Sequence, residues 1–378
     1  FEVEEVGADV LRATVPPHRI DIEEGAADVI EDLVRLYGYD KLPATLLADR
    51  LPPQRSNQAL VFEERLRDRL VSLGLQEVIT YALTTEQREK PLVDLGALTQ
   101  PRSPSEYVRL QNPISSEREV MRHSLLAGVF EVAAANLKHT DTVRLFEIGS
   151  VYLPRPDKKL PDEPRRLALV LCGKRHPDSW QDGDGGSVPH LDFFDLKGII
   201  EAIVDDLHLT EVEYRSLATP PLHPARAAEW IVAGRVIGWF GELHPKLVEV
   251  YDLSSLAPVL AAELDVEALQ SSLPARHLYQ PVPRFPAALR DVAVIVEESM
   301  PAERVAAEIR AAGGALLRDV YLFDLYRGES IPAGHKSLAY ALTYQADDRT
   351  LTDSEVKKAH DKIMGRLKHV LKAQIRDN

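Results

Sequence analysis

At 378 residues the chain has room for two or three domains of ordinary size, and 45% hydrophobic with 28% charged residues is the balance of a globular protein with several cores. No apolar run approaches the roughly 18 residues of a membrane span, and the single cysteine, Cys172, excludes an internal disulfide, so no membrane association and a cytoplasmic location are expected. The net charge of −14 argues against simple nucleic-acid affinity, but from Arg284 onward 15 basic and 14 acidic residues nearly cancel, so the acidity lies in the body.

The first residues, FEVEEVGADVLRATVPP, read as a strand pair already under way, and the sequence is expected to be part of a longer protein. A helix is predicted over Ala26–Tyr37, with Gly38 where a C-terminal glycine belongs and Pro43 blocking continuation. Leu46–Asn57, LLADRLPPQRSN, reads as a proline-bearing linker. Leu60, Phe62, Leu66, Leu70, Leu73 and Leu75 are then spaced for one buried face of a long helix.

From Glu77 to Leu269 strands and helices mix. VRLFEIGSVYLP and LALVLCGK predict strands, DFFDLKGIIEAIVDDL a helix, and EWIVAGRVIGWFGELHP a hairpin turning at Ala233-Gly234. Two loops, LPRPDKKLPDEPRR and HPDSWQDGDGGSVPH, interrupt the body, whose pattern implies a mixed or antiparallel sheet with helices on one face. Cys172, inside LALVLC, reads as a small buried hydrophobe. YQPVPRFP is a second linker. After it the order β-α-β-β-α-β is that of the ferredoxin-like split βαβ. The fold class is therefore α+β and multidomain, with segments 1–45, 46–278 and 284–378.

Two constellations stand out. Asp28, Glu31, Asp32 and Arg35 share one face of the first helix, opposite Val29, Leu33 and Leu36, and Asp21 lies close to the helix start. A solvated salt-bridge face explains them; so does a divalent-metal site, because carboxylates about 4 Å apart repel and a hard cation relieves that. In the tail, Lys358, Lys362, Arg366 and His369 form a basic helix stripe. Tyr321, Phe323 and Tyr326 occupy one strand and Tyr340 and Tyr344 the next. Such rings either stack on unpaired bases or fill the core. There is no GxxxxGK[ST], GxGxxG, HExxH, GxSxG or paired CxxC, so no catalytic residue is assigned.

These residues resemble the β-subunit family of bacterial phenylalanyl-tRNA synthetase. VPPHRIDI…DVIEDLVRLYGYDKLP resembles its B5 signature. LQNPISSEREVMRHSLLAGVFEVAAANLKH and VRLFEIGSVY are similar to its class II synthetase-like core. RFPAALRDVAVIV, LFDLYRGESIPAGHKSLAYALTY and DRTLTDSEVKKAHDKI resemble its ferredoxin-fold anticodon-binding domain. The resemblance implies the C-terminal half of a subunit in an (αβ)2 heterotetramer that attaches phenylalanine to tRNA(Phe) with ATP. Catalysis would lie on the α subunit and the core here would be inactive, in keeping with the lack of a glycine-rich strand ending in Glu-Arg. The proofreading site would lie upstream, outside this chain.

The resemblance further implies a Mg2+ site, shared with the α subunit, on Asp21, Asp28, Glu31 and Asp32. This sequence departs from the pattern by one extra residue between Asp21 and Asp28, and by Asp32 where a glutamate is usual. Tyr326, Arg327, Tyr344, Arg349, Lys358, Lys362 and Arg366 are the candidate tRNA contacts. The Leu60–Leu75 helix and NPISSEREVMRHSLL are the candidate α-subunit contacts. The rival readings are a body that is itself a working class II ligase, and a non-enzymatic RNA- or DNA-binding scaffold outside translation.

Overall fold

A computed structural model describes residues 1–45, 48, 56–94, 107–155, 157–180, 188–218, 221–253, 258–277, 279, 281–328 and 330–376. Most of the predicted 46–57 linker, and positions 181–187 of the second predicted loop, lie outside them. The chain divides into two compact units, Phe1–Leu273 and Pro274–Asn378.

The first unit opens with the hairpin β1 (Glu2–Gly7) and β2 (Val10–Thr14), followed by α1 (Ala26–Tyr37), the helix expected. Gly38, at φ 106°, ends it in a conformation that a side chain would strain, and its N–H returns to Val34 O. Val29, Leu33 and Leu36 face Val3 and Leu11 of the hairpin across an apolar groove.

Asn57 then caps α2 (Gln58–Ser72), its side chain accepting from the amides of Ala59 and Leu60. Phe62, Leu66 and Leu70 are buried as their spacing requires, each contributing about 1.5–3 kcal/mol. Leu60 faces solvent instead. Next come β3 (Gln76–Glu77), β4 (Leu83–Thr84), α3 (Glu86–Asp94), β5 (Val120–Met121), α4 (Leu126–Leu137), β6 (Thr142–Ser150) and β7 (Arg165–Gly173). The rest of the body is α5 (Phe193–Asp206), β8 (Val212–Ser216), β9 (Leu222–Val232), β10 (Arg235–Leu243), α6 (Pro245–Val250), β11 (Val259–Asp265) and α7 (Val266–Ser271).

Seven strands form one sheet in the order β3-β6-β7-β11-β10-β9-β8; β3 runs parallel to β6 and every other pairing is antiparallel. The predicted β9–β10 hairpin turns at Ala233 and Gly234, both at positive φ, the requirement of a type I′ turn. Helices cover both faces of this sheet, not one as the mixed pattern suggested. Leu167, Leu169 and Leu171 of β7 pack toward α2, α5 and α7, while Ala168, Val170 and Cys172 pack toward α4 and α6. LALVLC has no polar alternation because both sides of its strand are interior.

The second unit is β12 (Ala288–Glu297), α8 (Ala302–Gly313), β13 (Leu317–Tyr326), β14 (His335–Tyr344), α9 (Asp353–Val370) and β15 (Gln374–Arg376), the ferredoxin-like order expected. Its sheet runs β13-β14-β12-β15. A Thr352–Glu355 capping box starts α9. Val292, Val294 and Val296 of β12 and Leu338, Tyr340, Leu342 and Tyr344 of β14 pack with α8 and α9. The opposite sheet face carries no helix among the described residues. No helix among them is long and apolar enough to cross a membrane.

Candidate functional sites

The acidic corner is built around Arg19. Its Nε and Nη2 donate to the two oxygens of Asp21 at 2.7–3.1 Å, and its Nη1 donates to Asp32 Oδ2 at 2.7 Å. The guanidinium also lies 5.2 Å from the centroid of the Phe1 ring. These carboxylates hold the Arg19 proton more tightly, and Arg19 draws the Asp21 carboxyl below its ordinary range. Asp28 is engaged elsewhere: its Oδ2 accepts from the backbone amides of Glu23 and Glu24 at 2.8 and 2.7 Å. Glu31 is exposed. Arg35, the cation expected to pair on this face, reaches Asp32 only at 4.0 Å.

Of the four predicted metal ligands, then, Asp21 and Asp32 are brought together and Asp28 and Glu31 do not join them. Among the described residues no three His, Cys, Asp or Glu side chains form a group that could hold a metal ion. The donors suit Mg2+ in kind, but the corner as folded does not fit it. Arg19 was not singled out by sequence reasoning, although the Arg-x-Asp spacing was its signal; the two residues lie in a turn in which the Ile22 amide donates to the Arg19 carbonyl.

A second polar cluster lies inside the body, on the side of the sheet facing α4. Arg122 donates to Glu147 Oε1 at 2.8 Å, to Thr80 Oγ1 at 2.9 Å and to the Ser150 carbonyl at 2.9 Å; Thr80 in turn donates to Glu147 at 2.7 Å. Next to it, Glu263 accepts from Ser124 Oγ at 2.7 Å and from the Leu125 amide, and Glu89 accepts from the amides of His123 and Ser124. Burial pushes Glu89 up to about 7 and Glu263 upward, and it pushes His123, stacked on Tyr107, down to about 4. The adjoining cavity, about 210 Å³, is lined by Thr80, Glu89, Arg122 and Ser124. Arg122 and Glu147 satisfy each other's charge, whereas the buried His123 Nε2 finds no hydrogen-bond partner among the described residues.

The third site is the uncovered face of the β13-β14-β12-β15 sheet. Tyr321 pairs with Ala341; the register then shifts between Leu322 and Asp324; and Tyr326 pairs with Ser337. That bulge is why an odd-numbered and an even-numbered tyrosine share one side. Tyr321 is 64% exposed and Tyr326 41%, and Asp324, opposite Ala339, lies between them in the same row. Phe323, at the bulge, is also exposed. Tyr344 lies on the other side: it is fully buried, its hydroxyl 3.2 Å from His360 Nδ1. Tyr340 is buried too and donates to the Ala302 carbonyl at 2.7 Å. Tyr344 is therefore core, and its placement among the tRNA contacts is corrected.

The predicted cations are scattered. Arg327 forks onto Glu298, and Arg349 pairs with Asp348 and Glu355. Arg366 donates at 2.6 Å to Glu308, a nearly buried carboxylate on α8. Lys358 and Lys362 are exposed on α9, across the sheet from Tyr321 and Tyr326. The candidate residues do not converge on one surface.

Comparison with known proteins places three family models along the chain in order. The tRNA synthetase B5 domain matches residues 1–39, the phenylalanyl tRNA synthetase beta chain CLM domain 42–266, and the ferredoxin-fold anticodon binding domain 283–376. The phenylalanine–tRNA ligase beta subunit of Moorella thermoacetica is 40% identical over 377 residues, which are 98% of this chain and 45% of that protein. That of Syntrophotalea carbinolica is 36% identical over 380 residues, 99% and 45%, and that of Geobacillus kaustophilus 38% over 366, 96% and 43%. The chain spans under half the length of these curated relatives.

Proposed function

Because the chain belongs to the phenylalanyl-tRNA synthetase beta chain family, we propose that it is the part of that subunit which supports phenylalanine–tRNA ligation without performing it. In this reading an α subunit binds ATP and carries out the attachment of phenylalanine to tRNA(Phe), two copies of each subunit form the (αβ)2 enzyme, and the assembly works in the cytoplasm.

The observation that carries the reading is the exposure of Tyr321 and Tyr326 on an uncovered sheet face of the unit matched as anticodon-binding. An anticodon loop presents unstacked bases, and aromatic rings on a sheet receive them with about 1–3 kcal/mol per stacked base. Asp324, between the rings, accepts hydrogen bonds and so suits a base edge that carries an amino group. Lys358 and Lys362, on the helix side, belong to a separate phosphate contact. Arg327 and Arg349 belong to the tRNA surface only as far as their carboxylate partners release them.

The body acts as scaffold. Arg122, Glu147, Thr80, Ser124 and Glu263 are the inward polar groups a catalytic sheet would turn toward substrate, and here they bind one another. For the α-subunit contact we assign Leu60, Val61 and Val71 of α2, together with Ile79, Tyr81 and Ile114, all apolar and exposed. The Mg2+ that the resemblance implies on Asp21, Asp28, Glu31 and Asp32 is not carried into this reading, because the corner as folded gathers only Asp21 and Asp32, around Arg19.

The test is binding of a tRNA(Phe) anticodon stem-loop, measured by anisotropy beside stem-loops of other tRNAs, with co-purification of the α subunit and ATP–pyrophosphate exchange by each chain alone. Preference for tRNA(Phe), retention of the α subunit and no exchange by this chain are expected. Equal binding of all RNAs would favour a scaffold outside translation. Exchange by the isolated chain would make the body a ligase in its own right.

A further inference from the structure

The arginines and lysines of the second unit are sorted by partner. From Arg284 onward there are nine arginines and six lysines. Seven of those arginines lie in ion pairs, among them Arg304 and Arg366 on Glu308, Arg327 on Glu298 and Arg349 on Glu355, so their charge is matched locally. The lysines differ. Lys336 is buried and donates to the Glu298 carbonyl at 2.8 Å. Lys357, Lys358, Lys362, Lys368 and Lys372, on α9 or just beyond it, are exposed and form no ion pair among the described residues. Between Lys357 and Lys372 the only acid is Asp361.

At about 3.6 residues per turn, Lys357, Lys368, Lys358 and Lys362 fall within an arc of about 140°, opposite the buried Val356, Ile363 and Leu367. Gly365 lies in the middle of that arc, with open space where a side chain would stand. Helix electrostatics does not account for the row. Cations near a helix C-terminus complement the dipole, which explains Lys368 and Lys372 but not Lys357 and Lys358, in the second turn of α9.

We propose that this face of α9 is a sequence-independent contact for the phosphodiester backbone of an RNA duplex, separate from the sheet face that carries the rings. It extends the phosphate contact of Lys358 and Lys362 and rests on the reading of this unit as RNA-binding. Composition selects the partner. A membrane-binding or protein-binding helix face carries apolar anchors, and this arc has none. Base-edge readout uses Arg, Asn or Gln, and Arg366, at the margin of the arc, is engaged by Glu308. Ammonium groups are compact point charges suited to phosphate. Lys358 and Lys362 are about 6 Å apart along the helix axis and Lys358 and Lys368 about 15 Å apart, so one strand passing along α9 meets several of them.

The experiment titrates the 378-residue chain into a labelled, loop-free RNA duplex of about 16 base pairs, read by anisotropy from about 50 to 200 mM KCl. Four lysines on four phosphates should cost the wild type about 50- to 150-fold in affinity over that range. With Lys357→Gln, Lys358→Gln, Lys362→Gln and Lys368→Gln combined, the salt slope should fall by about 3. Arginine at the same four positions should keep the slope, and all three proteins should melt alike. A glutamine variant with the wild-type slope would show a solvated face and overturn the proposal. Absence of duplex binding by wild type at the lowest salt overturns it too, and a preference for the tRNA(Phe) stem-loop in that same protein would leave the anticodon reading standing. Lysine-dependent duplex binding with all tRNA stem-loops bound equally has the opposite meaning, removing the anticodon reading and keeping the α9 contact. Lysine-dependent binding of phosphatidylserine vesicles, with the duplex ignored, would give the face to a membrane and overturn the proposal. Should the fourfold glutamine variant melt early, Lys358→Gln with Lys362→Gln carries the test: a slope change of about 1.5 is expected, and no change overturns it.

Discussion

Tyr321 stands directly across from Ala341 on the bare side of its sheet, where a ring on an edge strand overlooks a small residue and leaves room for another ring. Ala339 and Ala293 extend that low floor across the next two positions. Removing the Tyr321 or the Tyr326 ring should therefore weaken binding of the anticodon stem-loop by about 1–3 kcal/mol with the melting temperature unchanged. Tyr344→Ala should do the reverse, costing about 3–5 kcal/mol of stability by opening a cavity in the core. Anisotropy and thermal melting on the same three variants separate the two roles, and an unfolded Tyr321→Ala would return that ring to the core.

The basic stripe of α9 divides in the same way. Lys362 is exposed, whereas Arg366 holds a nearly buried Glu308 that Arg304 also contacts. Lys362→Glu should lower the salt slope of tRNA binding by about 0.7–0.9 if it meets a phosphate and leave stability within about 0.5 kcal/mol. Arg366→Glu should destabilise the unit by about 2–4 kcal/mol, because a buried carboxylate then faces a like charge. Denaturant melts beside binding isotherms at two salt concentrations decide it. A marginal stability change in Arg366→Glu would mean that Glu308 finds solvent.

The difference between Lys362 and Arg366 also marks where the sequence stops being legible. Both lie on the polar side of α9 with the same spacing from their neighbours, and the helix itself follows from its periodicity. What separates them is Glu308, 58 positions earlier, and no local pattern carries a contact of that range. Tyr344 and Tyr326 present the same problem on strands. Period-two alternation gives two sides without saying which one is covered, and the bulge at Phe323 then reverses the parity partway along β13. The β-α-β-β-α-β order of the second unit, the Ala233-Gly234 turn and the α1 boundary rest on short-range chemistry and were readable. The acidic corner was read as a set of carboxylates because its four acids are near in sequence. Its organising residue, Arg19, lies outside α1, and its Arg-x-Asp spacing from Asp21 was the one sign of it in the sequence.

Glu89 makes the stability of the body depend on pH. Its carboxyl rises from an ordinary 4.5 to about 7 through burial, with the nearby Glu263 charge adding to the shift. The folded chain thus holds this proton more tightly than the unfolded one. The resulting stabilisation is complete below pH 4.5, is lost as pH rises toward 7, and is absent above it. The amplitude is on the order of 3 kcal/mol. His123 acts in the opposite sense, since its depressed value penalises the fold as pH falls below about 6.5. Comparison with Glu89→Gln therefore isolates the carboxyl. Relative to wild type, the amide should gain stability steadily from pH 5 to 7.5 and change little beyond. A constant difference across that range would show Glu89 ionised throughout.

The Arg122–Glu147 pair offers a direct test of whether the interior of the body is structural. The two side chains are 8% and 3% exposed and also share Thr80. Removing one partner strands the other charge in the core, so Arg122→Met and Glu147→Gln should each destabilise by about 3–5 kcal/mol. Replacing both, with Arg122→Met and Glu147→Leu together, should restore most of that loss, because two apolar groups of similar volume need no counter-charge. Aminoacylation by the reconstituted enzyme, measured well below the melting temperature, should follow stability and return in the double variant. If the double variant folds as stably as wild type yet remains inactive, the pair does more than fill the core, and the polar seam on this sheet still takes part in the reaction.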